Sequence, residues 1–324
     1  MYKTLGRGRV KRLLDLGKYR GCLLGLAIGD ALGTTVEFLL PGAFDPILEI
    51  VGGGKFNLKA GQWTDDTAMA LCLASSLIEQ CGFDAVDQMR RYLRWYREGY
   101  MSSTGSCTDI GQTVQTSLRR FEETGDPYSG PSDAGTAGNG SLMRVAPVAL
   151  YYANEPRQAI MHAAESSRTT HGAPESVDAC RYYSGLIVGA IQGRSKRELL
   201  TSGFSPIKGC FDVAPLTPRV HEVADGSFKK KSPPEIRGTT YVVDTLEAAL
   251  WAFWKSRTFR DGALLAVNLG DDADTTGAVY GQLAGAYYGD NAIPRSWREV
   301  VAMRDLIISL ADGLHANASL RMGP

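Results

Sequence analysis

The chain has 324 residues, of which 44% are hydrophobic and 22% are charged, as in an ordinary soluble globular protein. Its 35 basic and 35 acidic residues leave no net charge, so we expect neither nucleic acid nor an anionic membrane as a partner. No apolar run approaches the roughly 18 residues of a membrane-spanning helix, and no signal-peptide pattern follows the basic N-terminus.

The chain begins with a basic segment, residues 1–17, which contains five lysine or arginine residues and a single aspartate. Two interpretations stay open for this segment: it is either a solvated arm or an arm that docks to an acidic partner. The rest of the chain, residues 18–324, is expected to form one domain.

Helical periodicity dominates that domain, and the alternating runs of valine and isoleucine that would indicate strands are scarce. We therefore predict an all-α protein. The predicted helices cover residues 19–32, 67–80, 83–96, 109–123, 156–167, 175–192, 243–255, 260–268 and 297–314. The Pro/Gly-rich residues 203–240 are predicted to form a long surface loop, or a loop folded over the site.

Two acidic clusters, residues 64–67 and 271–276, share one design. Each combines carboxylates with threonine hydroxyls and precedes a small, apolar, helix-like run. Carboxylates this close repel one another unless a cation or a helix N-terminus compensates their charge. The clusters are therefore either helix caps or the two halves of a shared metal site. Oxygen ligands without nearby cysteine or histidine indicate Mg²⁺ or Mn²⁺ rather than zinc.

A glycine-rich turn at residues 137–144 leads into a predicted helix. Its exposed backbone N–H groups, together with the side chains of Ser141 and Arg144, could hold a diphosphate. The alternative is a plain helix entry without a ligand.

Three other residues are candidates for a catalytic or binding role. Asp109 is predicted at the start of a helix, where it either caps that helix or acts as an acid/base carboxylate. Glu37 is a second carboxylate in a loop-like setting. His171 precedes Gly172 and Pro174 in a loop that could meet a ligand, although a lone histidine also fits a structural role.

Cysteine usage indicates the compartment. The six cysteines are scattered and form no C-x-x-C pair. In a chain of this size they indicate reduced thiols, so we expect a cytoplasmic protein.

Five stretches of the chain, in this order, resemble the ADP-ribosylglycohydrolase family. They are residues 21–33, which look like its opening helix, 61–67 and 268–277, which resemble its two metal motifs, 138–144, which look like its diphosphate loop, and 241–251. Several motifs that agree in order make the resemblance specific over most of the chain.

The resemblance implies an all-α, orthogonally packed, multi-helix single domain with a central cleft that binds two divalent cations, Mg²⁺ or Mn²⁺. Thr64, Asp65 and Asp66 would supply one side of this binuclear metal site. Asp272, Asp274 and Thr275 would supply the other side. The diphosphate of the substrate would lie on the glycine loop near the histidine, and the implied substrate-binding residues are Gly138, Asn139, Gly140, Ser141, Met143, Arg144 and His171.

The implied activity is hydrolysis of the bond between ADP-ribose and a modified protein side chain. Asp109 resembles the catalytic aspartate of the arginine-specific members, and Glu37 resembles the glutamate with that role in the serine-specific members. We favour arginine because residues 108–111 look like those of the bacterial arginine-type enzymes.

Two alternatives stay open beside this activity. One is hydrolysis of a small metabolite such as an acylated ADP-ribose. The other is an immunity protein that neutralises an ADP-ribosylating toxin by binding it through residues 1–17, by reversing its modification, or both.

One residue departs from the family's pattern. Asp271 stands where many relatives have glycine, and it adds a charge beside the metal motif without removing a ligand. We therefore expect Asp271 to lie outside the direct ligands of the metal.

Overall fold

The structure is a computed structural model that describes residues 14–321. Within this part of the chain, helices are the only regular elements, and three of them are short 3₁₀ helices. This confirms the predicted all-α class. The α-helices are α1 Leu16–Gly33, α2 Asp65–Glu79, α3 Ala85–Glu98, α4 Gln112–Thr124, α5 Ala146–Tyr151, α6 Pro156–Arg168, α7 Pro174–Ile191, α8 Lys196–Leu199, α9 Cys210–Val213, α10 Pro218–Ala224, α11 Val242–Lys255, α12 Phe259–Val267, α13 Ala273–Tyr288, α14 Arg295–Val300 and α15 Arg304–Leu320.

A closely packed pair of antiparallel helices, α1 and α13, forms the centre of the fold. Glycines recur every four residues on both helices, and the facing pairs are Gly21 with Gly285, Gly25 with Gly281, and Gly29 with Gly277. A Cβ atom on Gly25 would lie 2.3 Å from the carbonyl oxygen of Gly281, so the two backbones can approach this closely only without side chains. The pairing brings the C-terminal end of α1 against the N-terminal end of α13.

The first helix begins inside the segment predicted to be an arm. Asp15 caps it by accepting a 2.9 Å hydrogen bond from the backbone N–H of Gly17, and the helix starts at Leu16. The helical part of the chain therefore begins before residue 18. Residues 1–13 of the predicted arm lie outside the described residues.

Two predicted helix boundaries were wrong. The helix expected from residue 109 begins at Gln112, because Asp109 has a positive φ of 52° that a right-handed helix does not allow. The helix expected over residues 297–314 is two helices, α14 and α15. Met303, which lies between them, has a left-handed φ of 54° that interrupts the helical conformation.

The prediction of a long loop at residues 203–240 was also partly wrong. This segment contains α9, α10 and a 3₁₀ turn at Ser227–Lys229. Val220, Val223 and Phe228 are buried, and this apolar burial holds the segment on the domain. Its last residues reach the site, since the carbonyl oxygen of Gly238 accepts a 2.8 Å hydrogen bond from the backbone N–H of Asp272.

Between residues 14 and 321, the structure contains no helix with both the length and the hydropathy needed to cross a bilayer.

Candidate metal centre and active-site cavity

A cavity of about 540 Å³ opens between the loop after α1, the loop before α4 and the glycine loop before α5. It contains Asp65 from the first predicted metal motif, Asp272 and Thr275 from the second, and the predicted catalytic residue Asp109. Five of the predicted substrate-binding residues also line it: Gly138, Asn139, Gly140, Met143 and His171. The structure thus brings both acidic clusters and the glycine loop to one cavity.

Beneath the cavity, three helix ends converge. Asp30 lies near the end of α1, Thr64 occupies the N-cap position of α2, and Asp274 lies in the first turn of α13. The Thr64 hydroxyl is 3.0 Å from Oδ1 of Asp30, 3.2 Å from Oδ2 of Asp66 and 3.3 Å from Oδ2 of Asp274. The N-termini of α2 and α13, which are the positive ends of the helix dipoles, both face these carboxylates. They partly compensate the negative charge.

Asp30 is a site residue that the sequence analysis did not single out. Its carboxylate accepts four hydrogen bonds, from the backbone N–H and the hydroxyl of Thr64 and of Thr67. It therefore caps α2 from another helix and fixes the start of the first acidic cluster. The signal that could have found it is a charged residue at the buried centre of an otherwise apolar helix, which needs partners of its own.

A second group of carboxylates also includes Asp274. One oxygen each of Glu37, Asp109 and Asp274 lies within 4.8 Å of the other two. Asp109 occupies the loop before α4 in the left-handed region, an uncommon conformation for a residue other than glycine. It lines the cavity, whereas Glu37 does not and is buried, with a relative exposure of 4%.

The donor set fits divalent cations. One oxygen each of Asp30, Asp66 and Asp274 lies within 4.8 Å of the other two, so Asp274 belongs to two carboxylate triads. Both carboxylate oxygens of Glu37 and the Oδ1 atom of Asp66 are buried, and no described residue donates a hydrogen bond to them. Such buried oxygens are costly unless a cation binds them. Only oxygen atoms converge here, which suits Mg²⁺ or Mn²⁺.

The electrostatics of the cluster lead to the same conclusion. Burial and the neighbouring carboxylates raise the pKa of Glu37 to about 9, and burial raises the pKa of Asp30 to about 6. Burial, reinforced by repulsion between the carboxylates, raises the pKa values of Asp65, Asp66 and Asp274 well above the ordinary range. Burial also raises the pKa values of Asp109 and Asp272. A bound cation would reverse these shifts by favouring the ionised forms.

The two consecutive aspartates of the second acidic cluster, Asp271 and Asp272, have different partners. Asp272 accepts a 2.7 Å hydrogen bond from the side-chain amide of Asn139, which ties the cluster to the glycine loop. Asp271 instead points to Arg237, at 3.4 Å, and its backbone N–H and carbonyl oxygen both bond to the loop after Glu37. The φ of Asp271 is 58°, in the left-handed region that glycine adopts at the lowest steric cost.

Some residues of the glycine loop face the cavity, and others face the protein interior. Its side facing the cavity carries Gly138, Gly140 and Met143. Ser141 and Arg144 do not line the cavity. Ser141 accepts a 2.8 Å hydrogen bond from Ser167, and the fully buried Arg144 guanidinium donates to the carbonyl oxygen of Gly140. These two side chains are therefore placed to support the loop from behind.

Burial and the neighbouring Arg144 lower the pKa of His171 to about 3, so the imidazole in the cavity wall is neutral. Its Nδ1 atom lies 2.9 Å from the hydroxyl of Thr170. The ring packs against the glycine loop, since a Cβ atom on Gly140 would lie 2.9 Å from its Cε1 atom.

Comparison with known proteins gives a consistent result. A family model described as ADP-ribosylglycohydrolase matches residues 12–323. The chain is 43% identical over 303 residues to a Pseudomonas putida (strain GB-1) protein named ADP-ribosylarginine hydrolase Tri1, covering 94% of this chain and 79% of the relative. It is 34% identical over 304 residues to the ADP-ribosyl-(dinitrogen reductase) glycohydrolase of Rhodospirillum rubrum, covering 90% and 95% of the two chains.

A solved structure described as an ADP-ribosylglycohydrolase-related protein complex is also similar. Its TM-score is 0.82 and its sequence identity 46%, covering 94% of this chain and 98% of the other. The family match spans nearly the whole chain, and both predicted metal motifs meet at one cavity. This chain therefore belongs to the ADP-ribosylglycohydrolase family.

Proposed function

We propose that this protein is a metal-dependent hydrolase that removes ADP-ribose from ADP-ribosylated arginine side chains of proteins. The observation that carries the proposal is the convergence of buried carboxylates at one end of a cavity whose wall is the glycine loop. The 43% identity to a protein named ADP-ribosylarginine hydrolase supports arginine as the modified residue.

Two divalent cations, Mg²⁺ or Mn²⁺, would be held at the shared carboxylate Asp274. Asp274 belongs to both carboxylate triads, and the hydroxyl of Thr64 lies 3.3 Å from it. The other predicted ligands are Asp65, Asp66, Asp272 and Thr275. When bound, such ions polarise the hydroxyls of a ribose or a water molecule. Asn139 and Asp30 would hold the ligands in place, because each bonds directly to a residue of an acidic cluster.

The reaction breaks the bond between the anomeric carbon and a guanidine nitrogen. A water oxygen bonds to the anomeric carbon, and one proton of that water is transferred to the departing nitrogen. We assign this proton transfer to Asp109 rather than to Glu37, because Asp109 lines the cavity and Glu37 does not. The ionised form of a nearby carboxylate also stabilises the positive charge that develops on the sugar.

A substrate panel tests this proposal. Purified protein with Mg²⁺ or Mn²⁺ is expected to release ADP-ribose from arginine-modified protein faster than from serine-modified protein or from an acylated ADP-ribose. Asp109→Asn should lower kcat on the arginine substrate by about 10²- to 10⁴-fold, the usual contribution of a general acid or base. A preference for the serine substrate, with a larger loss in Glu37→Gln, would overturn the assignment.

We propose a cytoplasmic location, because all six cysteines are free thiols, which suits a reducing compartment. The physiological partner would be a protein that carries the modified arginine. Binding of an ADP-ribosylating toxin through residues 1–17 stays a prediction from the basic residues of that segment alone.

A further inference from the structure

A buried hydrogen-bond relay leads from Arg144 to the histidine in the cavity wall. The Nη2 atom of Arg144 donates a 2.8 Å hydrogen bond to the hydroxyl of Thr170. The same hydroxyl lies 2.9 Å from Nδ1 of His171. Arg144 and Thr170 are fully buried, so water does not compete for these groups.

The relay allows one proton arrangement at low cost. A guanidinium can only donate hydrogen bonds, so the Thr170 oxygen accepts from Arg144. Its single proton then has one partner among the described residues, which is Nδ1 of His171. If Nδ1 carried a proton instead, the hydroxyl proton would be buried without an acceptor, at a cost of about 1–3 kcal/mol. Nδ1 is therefore the acceptor, and the proton of the neutral ring lies on Nε2.

We propose that Arg144 and Thr170 are positioning residues that fix His171 in its Nε2–H form, so that the ring donates a hydrogen bond into the cavity. His171 would then select a ligand with an acceptor oxygen at this point and would not serve as a general base there. The expected ligand group is a phosphate oxygen or a ribose oxygen of ADP-ribose. Only the identity of this ligand rests on the proposed function.

The glycine loop supports this geometry. A Cβ atom on Gly138 would lie 3.3 Å from Nε2 of His171, and one on Gly140 would lie 3.2 Å from it. The two glycines thus leave room for Nε2 beside the backbone of the loop. A donor on Nε2 complements the backbone N–H groups that make such a loop suitable for an oxyanion.

The tautomer can be measured directly by NMR in the absence of substrate. The chain has four histidines, and the His171 signals are those that disappear in His171→Gln. In ¹⁵N-histidine-labelled protein, long-range ¹H–¹⁵N spectra should show a protonated Nε2 and an unprotonated Nδ1 for His171. A protonated Nδ1 in the unmodified protein would overturn the proposal.

Variants at Thr170 test the relay and its effect on binding. Thr170→Val removes the hydroxyl and should mix the two tautomers and weaken ADP-ribose binding by roughly tenfold, about the effect of one hydrogen bond to a charged group. Thr170→Ser should restore the tautomer and the Kd. An unchanged tautomer in Thr170→Val would contradict the relay, and an unchanged Kd with a mixed tautomer would contradict the donor role. If Thr170→Val does not fold, the spectrum of the unmodified protein still decides.

The proposal and the hydrolase function fail separately. Loss of arginine hydrolysis with an intact Nε2–H form would count against the function alone. A protonated Nδ1 in a protein that hydrolyses the arginine substrate would count against the relay alone.

Discussion

The hydroxyl of Thr64 lies 3.3 Å from a carboxylate oxygen of Asp274, although 210 residues separate them in the chain. The contact depends on the antiparallel packing of α1 and α13, which brings the start of α13 to the end of α1, beside the start of α2. Two acidic clusters that are each compatible with a helix cap thus become the two sides of one site.

Asp274 is the carboxylate shared by both triads, so its removal should affect metal binding most. We expect Asp274→Asn to lower the affinity for Mn²⁺ by at least about 100-fold, because losing a ligand exceeds the roughly 10–100-fold effect of losing a partner that only orients a ligand. Isothermal titration calorimetry of the chelator-treated protein would measure this.

Asp271 offers a matched control within the same cluster. Its side chain is paired with Arg237 at 3.4 Å and belongs to neither triad. Asp271→Asn should leave the Mn²⁺ affinity within about threefold, since exposed charge pairs contribute little. Equal losses in Asp271→Asn and Asp274→Asn would show that the metal responds to total charge rather than to the triads.

The close approach of α1 and α13 predicts a large stability effect from a single methyl group. Gly25→Ala places a Cβ atom 2.3 Å from a backbone carbonyl oxygen, so the helices must separate. We expect a loss of about 3 kcal/mol in the free energy of unfolding, because overpacking outweighs the gain of about 1 kcal/mol in helix propensity. Urea denaturation would measure the change.

Gly17→Ala is the control for this effect on the same helix. Its new Cβ atom meets only side-chain oxygens, those of Asp290 and Asp15 at 3.1 and 3.2 Å, so a shift of a few tenths of an ångström relieves the contact without separating two backbones. The expected change is within about 0.5 kcal/mol. Similar losses at both positions would mean that close backbone packing does not determine the stability of this pair.

Asp30 should affect both stability and metal binding. In Asp30→Asn, one oxygen that accepts hydrogen bonds is replaced by an NH₂ group that faces donors. We expect a loss of about 2 kcal/mol in stability, from buried donors left without acceptors. Mn²⁺ affinity should fall about 10–100-fold, as for other groups that orient ligands. Full metal affinity in a destabilised Asp30→Asn would assign Asp30 a purely structural role.

The raised carboxylate pKa values predict how stability depends on pH once metal is removed. The folded state holds protons that the unfolded chain releases near its ordinary carboxyl pKa of about 4. With the pKa of Asp30 raised to about 6 and that of Glu37 to about 9, the folded chain binds more protons between these limits. The free energy of unfolding should therefore fall as pH rises.

Thermal unfolding in a chelator across about pH 7 to 8 would measure this fall in Tm. The lowered pKa values of His171 (about 3) and Lys196 (about 8) oppose the fall below and above this window. Added Mg²⁺ or Mn²⁺ should raise the Tm and flatten its pH dependence, because cations bind the ionised carboxylates. If the Tm in chelator rose with pH instead, the carboxyl groups of this cluster would not have the raised pKa values that burial without a nearby positive charge gives them.

The sequence was sufficient for the helical class, because local periodicity carries that information. Motif chemistry alone left the two acidic clusters as either helix caps or one metal site, and the resemblance to a family predicted that they converge. The sequence was not sufficient to identify Asp30 as part of the site, because its role depends on which helix N-terminus it contacts in the folded protein. Nor could local patterns reveal the left-handed conformation of Asp109, since a capping position and a strained loop position accept the same residue type.

The sequence also could not show which side chains of the glycine loop face the cavity and which face the protein interior. Ser141 and Arg144 lie in the same turn as Gly138 and Gly140, yet their side chains face the interior rather than the cavity. The direction of each side chain depends on tertiary contacts such as those of Arg144 with Tyr92 and Thr170. A motif therefore identified the loop but not which of its atoms face a ligand.

The most direct test of the metal-dependent hydrolase is ADP-ribose release from an arginine-modified protein by chelator-treated enzyme, before and after Mg²⁺ or Mn²⁺ is added back. We predict negligible release in chelator, recovery on adding the ion, and no recovery in the Asp65→Ala/Asp272→Ala double variant. Full release in chelator, or full activity of the double variant, would contradict the assignment of these two acidic clusters to one catalytic metal site.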